Sequence, residues 1–449
     1  MWTVNSESGV LHAVLIQDSI EQFWERRLPF VGIESSHYYL ARCPHASFRE
    51  GREGWNRLQQ YLGGEGVHVF ELVSILKKIL EGATLKERKE IIEKVWGGRQ
   101  IRPKAEELSV EHLTMGYPPK PYFDPGKDWV VLPDFTRVAW PYPRDTSFTS
   151  PVGTVLCAMR RYSRIFEPSI VRLAYEYDGI LSRNIEIIWD ANTSRERYTE
   201  PLCIEGGDTH IIDGETIAIG MGQRSTFTGF IETAKKLFEN DSDRELRYIC
   251  AVNNPDYPAV DYMHLDVVIN YPDKGKALVM PYYFESEVIE NIPEKRLLLK
   301  TLEAVRAQSE EDDRPMEPLV HPNDFKEAGR CSIYTRDGDE PKLLRREKSL
   351  LDFLLKEGKL EKDGIIFVGG EPEAENDVEH LLKALMEQAR GASNIFTIKP
   401  GVVIAYERNR LTNEALREHG IRVKEWDDRY LDMLGGPHCS MNPLSRDEC

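Results

Sequence analysis

The 449-residue chain lacks several features that would announce a simple class. No apolar run approaches the roughly 18 residues that a membrane helix needs, so a membrane protein is not expected. No basic run interleaved with aromatics is present, and the formal net charge is −17. Nucleic acids and anionic membrane surfaces, which are held by clustered Lys and Arg, are therefore excluded as expected partners. The opening MWTVNSESGVLHAVLIQD has no basic cluster ahead of its short apolar stretch. No secretory leader is expected on that ground. The seven cysteines, Cys43, Cys157, Cys203, Cys250, Cys331, Cys439 and Cys449, are odd in number, scattered, and without a C-x-x-C pair. That spacing argues against a disulfide framework and against a zinc site, and fits a reducing cytoplasm. No fixed-period repeat and no low-complexity linker are visible.

What is present is a mixture of short strands and helices. With 41% hydrophobic residues the chain can bury a substantial core. GVLHAVLIQD reads as a strand, and GWNRLQQYLGGEGVHVFEL as helix, turn and strand. Residues 72–116 carry apolar positions at helical spacing among many charges and read as a helical insertion. THIIDGETIAIGM reads as a hairpin about Asp213-Gly214, a pair that tolerates positive φ. YMHLDVVINY, GIIFVGG, GVVIAYE and IRVKEW read as strands, DVEHLLKALMEQARG and NEALREHG as helices, and the acidic SEEDDRPMEP as an exposed loop. The expectation is one α+β domain over residues 1–449 with the insertion inside it.

Four stretches carry candidate chemistry. WPYPRDTSF holds Asp145, IEGGDTHII holds Glu205 and Asp208 around two glycines, YMHLDVV holds His264 and Asp266, and GGPHC holds His438 and Cys439. In a strand, residues two apart share a face, so His264 and Asp266 are expected to project together. The Gly435-Gly436-Pro437 approach to Cys439 suits close backbone contact with a ligand better than a packed helix or strand. A thiol needs its pKa lowered before it can attack. One thiol, one histidine and several carboxylates suit a planar cation held by charge-assisted hydrogen bonds, and a guanidinium has that geometry.

The order RD, EGGD, HLD, GGPHC resembles the arginine deiminase family of the guanidine-modifying, or pentein, superfamily. GMGQRST with Arg224, RRYSRIFEP with Arg164, IKPGVVIAYERNRLTNEALREHGIRV, and the opening VNSESGVLHAVLIQD are similar to segments of the same family. The resemblance implies a five-bladed α/β-propeller with a helical insertion. It implies Cys439 as nucleophile, Asp145 and Asp266 as guanidinium clamps, and Glu205 and His264 as proton shuttles. It also assigns substrate contacts to Arg164, Arg224, Asp208, Gly435, Gly436 and His438. The implied reaction is L-arginine to L-citrulline and ammonia through a covalent thiouronium, with no metal and no organic cofactor, in a homo-oligomer.

The pattern is broken twice. Leu434 stands where the family commonly has an arginine before the Gly-Gly, and Ala139 where it commonly has an asparagine. Both changes touch the amino-acid end of the substrate. They keep open hydrolysis of citrulline, or of arginine onward, to ornithine, CO2 and ammonia. An amidinotransferase and a non-enzymatic binding protein are the further alternatives.

Overall fold

The computed structural model describes residues 1–17, 48–97, 102–117, 122–124, 126, 129–131, 142–161, 164–194, 200–254, 263–288, 297–301, 303–304, 326–370, 377–427 and 435–449. The acidic stretch 309–318 lies outside them. The fold is mixed α/β. Among the described residues, no helix is long and apolar enough to cross a membrane.

Five sheets follow one plan: an antiparallel pair of strands, a helical crossover, and a third strand parallel to the second. Ser147–Ser150, Gly153–Leu156 and Ile187–Asp190 form one such unit. Thr209–Asp213, Thr216–Met221 and Tyr248–Asn253 form the next, extended by the hairpin Cys331–Asp337 and Glu340–Glu347. Ile269–Asp273, Gly275–Val279 and Leu360–Phe367 make a third. Phe396–Lys399, Val402–Tyr406 and Arg422–Trp426 make a fourth. The fifth draws on both ends of the chain, with Leu11–Ile16 antiparallel to Met441–Arg446 and parallel to His68–Glu71.

The crossovers run through Phe48–Gly64, Glu167–Tyr177, Phe227–Asn240, Leu350–Lys356 and Arg410–Glu418. Each returns the chain to the edge where a parallel strand can pair. Phe227–Asn240 shows why the local sequence chooses helix. Phe230, Thr233, Ala234, Leu237 and Phe238 recur at helical spacing on the buried face, and Thr226 caps the first turn by accepting from the Gly229 N–H at 3.1 Å. Residues 72–116 contain the helices Leu72–Gly82, Leu85–Trp96 and Val110–Met115. Thr84 and Glu87 form a capping box that starts the second. Leu76, Leu80, Ile91, Ile92 and Trp96 pack these helices against Ile170, Val171 and Ala174 of Glu167–Tyr177.

One sequence expectation is corrected. His264 is extended (φ −133°, ψ 164°), but Leu265–Val267 forms a 3-10 turn, and the strand begins only at Ile269. His264 and Asp266 therefore do not share a strand face. Polar side chains take the backbone groups that a ladder would have used: Asp208 accepts from the Leu265 N–H at 3.1 Å, and the Asp266 carbonyl accepts from Asn270 and Asn394 at 2.8 and 2.9 Å.

That turn belongs to a set. Pro143–Thr146 leads into Ser147–Ser150, Gly206–Asp208 into Thr209–Asp213, and Leu265–Val267 into Ile269–Asp273. Residues 437–440 lead into Met441–Arg446, and 391–393 toward Phe396–Lys399. Asp145, Glu205 and Asp208, His264 and Asp266, and Cys439 all sit at these entries. The Gly206–Asp208 turn touches both Pro143–Thr146 and Leu265–Val267, and Met441–Arg446 lies against the Pro143–Thr146 turn.

Candidate active site

The entry turns bring the sequence-predicted residues together and bury them. Cys439 Sγ lies 3.4 Å from Asp266 Oδ2 and accepts from Asn394 Nδ2 at 3.2 Å. Asn394 Oδ1 accepts from the Cys439 N–H at 3.1 Å, so one side chain grips the cysteine's backbone and its sulfur. His264 donates from Nε2 to Glu205 Oε2 at 2.8 Å, and its Nδ1 stands 3.7 Å from Asp145 Oδ1. Glu205 also accepts from the Arg160 N–H at 2.9 Å and pairs with Arg224 at 3.3 Å.

The glycines at the site are set by space. A Cβ on Gly207 would stand 2.7 Å from His264 Nδ1 and 2.8 Å from Asp145 Oδ1. A Cβ on Gly206 would strike the Arg144 carbonyl at 2.1 Å. Gly435 and Gly436 are pressed against the Tyr142 ring and the Asn394 side chain, at 2.1 and 2.5 Å from where a Cβ would be. The two latter glycines thus seat the cysteine turn on its neighbours.

Arg164 donates to Asp145 Oδ2 at 2.6 Å and to Glu167 at 2.7 Å. Asp208 accepts from Ser225, Asn254 and the Leu265 N–H, at 2.6, 3.1 and 3.1 Å, and so ties the Glu205 turn to the His264 turn. His438 donates to Asp266 Oδ2 at 2.8 Å. After these bonds, Asp145 Oδ1, Asp266 Oδ1 and His264 Nδ1 remain buried with no hydrogen-bond partner among the described residues. Ala139 and Leu434 lie outside the described residues.

Burial and charge pull against each other throughout. Burial pushes His264 down, but Asp145, the Glu205 hydrogen bond and Asp208 outweigh it and hold the imidazole up at about 9. Burial pushes Glu205 up, but Arg224 and His264 bring it well below the usual carboxylate range. Burial, with Asp266 and Asp145 behind it, pushes the Cys439 thiol well above its ordinary value. Burial lifts Glu167 to about 7 despite Arg164, and Asp208 to about 7 despite His264 and Ser225. The thiol is therefore protonated at neutral pH, 3.4 Å from one oxygen of a carboxylate whose other oxygen lacks a donor.

Asp145, Glu205 and His264 also offer ligand atoms within 4.8 Å of one another, as a metal site would. The donor set suits a metal ion poorly. Arg164 and Arg224 each already pair with one of the two carboxylates, and a protonated His264 has no lone pair to give.

Two residues of the site escape a reading of the sequence. Asn394 stands at the entry of the Phe396–Lys399 strand, the position that its sister sheets fill with Asp145, Glu205, His264 and Cys439. Glu7, from the N-terminal segment, reaches His438 Nε2 at 3.3 Å and Arg144 at 2.7 Å. Aligning the entries of the five hairpins would have pointed to Asn394, whereas no local pattern marks Glu7.

A family model described as arginine deiminase matches residues 139–309 and 336–446, which include every one of the predicted catalytic and substrate-contact positions. The chain belongs to the arginine deiminase family. It is similar to the arginine deiminase of Streptococcus gordonii, 23% identical over 399 residues, covering 87% of this chain and 78% of that protein. It is also similar to arginine deiminase 1 of Staphylococcus epidermidis, 27% identical over 252 residues, covering 55% of this chain. The match spans 49% of that protein and 61% of the Bacillus cytotoxicus arginine deiminase, less than two thirds of either. Among solved structures, an inosamine-phosphate amidinotransferase of Streptomyces griseus aligns over 100% of this chain and 98% of its own, with a TM-score of 0.48 and 14% identity. Arginine deiminase family membership accounts for the order in which the four motif stretches occur along the chain.

Proposed function

We propose that the chain is a cysteine-dependent hydrolase of guanidino compounds that converts L-arginine to L-citrulline and ammonia. The observation that carries this reading is a pair of buried, unpartnered oxygens: Asp266 Oδ1, on the carboxylate whose other oxygen lies 3.4 Å from the Cys439 thiol, and Asp145 Oδ1, 3.7 Å from His264 Nδ1. A buried carboxylate oxygen left without a donor is costly, and a planar guanidinium supplies donors and charge at once. Its arrival offsets the two carboxylates that hold the thiol protonated. The thiol then loses its proton to solvent, and the thiolate forms a bond to the guanidino carbon. The protonated His264, oriented by Glu205, gives its Nε2 or Nδ1 proton to the departing nitrogen, and ammonia leaves a thiouronium on sulfur. Neutral His264 next takes a proton from water, whose oxygen attacks the same carbon. As the C–S bond breaks, the remaining hydroxyl proton of the adduct passes to sulfur, which releases the ureido product and regenerates the thiol.

Arg164 and Arg224 are the candidate partners of the substrate carboxylate. Each is paired with carboxylates of the site in this structure, so that role requires an exchange of partners. Asp208 serves the substrate through the two turns that it joins, and Gly435 and Gly436 through the placement of Cys439. The five sheets of like plan support a five-bladed α/β-propeller, because the strands next to the site lie against those of neighbouring units: Met441–Arg446 against Ser147–Ser150, and both Leu11–Ile16 and Ile269–Asp273 against Phe396–Lys399. In this reading residues 1–449 are one catalytic domain, in a homo-oligomer, with the 72–116 helices as an insertion.

The test is incubation of the protein with arginine, citrulline and agmatine in parallel, with citrulline, ornithine and ammonia quantified and Cys439→Ala as control. Arginine consumed with citrulline and ammonia formed in equal amounts is the expected result. Ornithine formed from citrulline would replace the proposed reaction with the onward one, and transfer of the amidino group to added glycine would replace it with a transferase.

A further inference from the structure

The proposed mechanism uses neither Glu7 nor His438, and the hydrogen bonds of the His438 ring do not show the substrate contact that the family resemblance assigns to it. The two residues form a buried chain that ends on the guanidinium clamp. Glu7 is held by Arg144 at 2.7 Å and by the Ile211 N–H at 3.1 Å, both on Oε1. Its Oε2 accepts from His438 Nε2 at 3.3 Å. The opposite nitrogen, Nδ1, donates to Asp266 Oδ2 at 2.8 Å. One face of the same ring is stacked on His210 at 5.4 Å and 11°, and Phe396 lies tilted against it at 6.2 Å. The imidazole is thus held at both edges and on a face, within a site where Glu7, His210, His438 and Asp266 are all buried.

Asp266 has two oxygens with separate fates. Oδ2 receives His438 and the Cys439 thiol, whereas Oδ1 is buried with no donor among the described residues. Without His438, the carboxylate could turn about its last bond and present either oxygen to either neighbour. We propose that Glu7, acting through His438, is a positioning residue: it fixes the ring so that Nδ1–H occupies Asp266 Oδ2 and leaves Oδ1 directed at the guanidinium. This inference rests on the proposed function and adds to it a device outside the reacting groups.

The prediction is about binding. A clamp that loses its orienting donor gives up a charge-assisted hydrogen bond, so affinity for guanidinium should fall about tenfold to a hundredfold. The loss should appear in KM more than in kcat, because the clamp holds substrate and transition state alike. His438→Ala removes the donor. His438→Asn restores an N–H near the Nδ1 position and should regain most of the lost affinity. Glu7→Gln keeps an acceptor for Arg144 and Ile211 and turns its amide N–H to the ring, leaving the Nδ1–H tautomer in place, and should exceed Glu7→Ala in affinity. Because Glu7→Ala strands a buried Arg144 and can fail to fold, the His438 pair carries the test.

Kinetics with arginine and agmatine are measured on the intact enzyme and these variants. Calorimetric titration with arginine and with guanidine hydrochloride is done in a Cys439→Ser background, and folding is checked by circular dichroism. Wild-type protein that neither binds nor turns over any of the three compounds sinks the functional reading, and this inference with it. A competent wild type with His438→Ala within twofold in KM and Kd, or with His438→Ala and His438→Asn equally impaired, overturns the positioning role alone.

Discussion

In the proposed reaction Asp266 has two roles that oppose each other, and substitution to asparagine should separate them. Its carboxylate lies 3.4 Å from the Cys439 sulfur. With an effective dielectric of about 20, two like charges at that distance repel by about 5 kcal/mol. That is an upper limit for the gain on removing the charge, since burial and Asp145 still oppose the thiolate. Keeping half of it raises the thiolate fraction at pH 7 by about a hundredfold. Asp266→Asn preserves an acceptor for His438, so the geometry should survive. The thiol should therefore react faster with a neutral alkylating agent while turnover of arginine falls by at least a hundredfold. The assay is the rate of iodoacetamide capture at Cys439, read by mass spectrometry of its peptide across pH 6–10, beside steady-state kinetics. Mass spectrometry is needed because six other cysteines are present. Slower or unchanged alkylation in Asp266→Asn would refute the claim that this carboxylate holds the thiol protonated, whatever happened to turnover.

Asn394→Asp should act in the opposite direction. It removes the donor to sulfur at 3.2 Å and sets a carboxylate there, so alkylation and kcat/KM should both fall, with alkylation the diagnostic. Gly207→Ala places a methyl 2.7 Å from His264 Nδ1 and 2.8 Å from Asp145 Oδ1. Misplacing such groups by even part of an ångström should lower kcat/KM by about a hundredfold, and a variant within threefold of wild type would show that this space is not used. His264 titrates at about 9 in the fold against an ordinary value of 6.5. A raised value stabilises the fold fully below the unfolded value and is lost as pH climbs through the folded one. Denaturant unfolding should accordingly weaken by about 3 kcal/mol between pH 6 and 9.5, and His264→Asn should flatten that slope.

The residues that the structure gathers were legible in the sequence because they come in compact pairs, with glycine beside two of them. Glu205 with Asp208, His264 with Asp266, and His438 with Cys439 each occupy a single turn, so short stretches carried the composition of the site. The hairpin about Asp213-Gly214 was equally plain, since alternation and turn chemistry are both local. The shared plan of the five sheets was not legible. Their hairpins recur at irregular intervals, separated by crossovers of different length, and the fifth sheet is assembled from the two chain ends. The YMHLDVVINY stretch misled for a related reason. Its alternation is that of a strand, but Asp208, distant in sequence, captures the Leu265 N–H and closes a turn there. Glu7 was invisible because it acts on a residue 431 positions along the chain, and Asn394 stands out only once the five hairpins are matched by their entries.

The charge arrangement bears on which ligand the site prefers. Glu7, Asp145, Glu167, Glu205, Asp208 and Asp266 are all buried, and so are Arg144, Arg164, Arg224 and His264. Burial lifts Glu167 and Asp208 to about 7, and the charge of Glu205 adds to the rise of both. A guanidinium adds positive charge where Asp145 and Asp266 each keep one oxygen without a donor. A neutral ureido group such as that of citrulline offers N–H donors but no charge, and its oxygen would face carboxylates rather than donors. It would leave the thiol protonated as well. Selection of the ligand and activation of the nucleophile are then one electrostatic event. On this argument citrulline should bind more weakly than arginine in wild type, and the gap should narrow in Asp266→Asn, where the clamp no longer rewards charge.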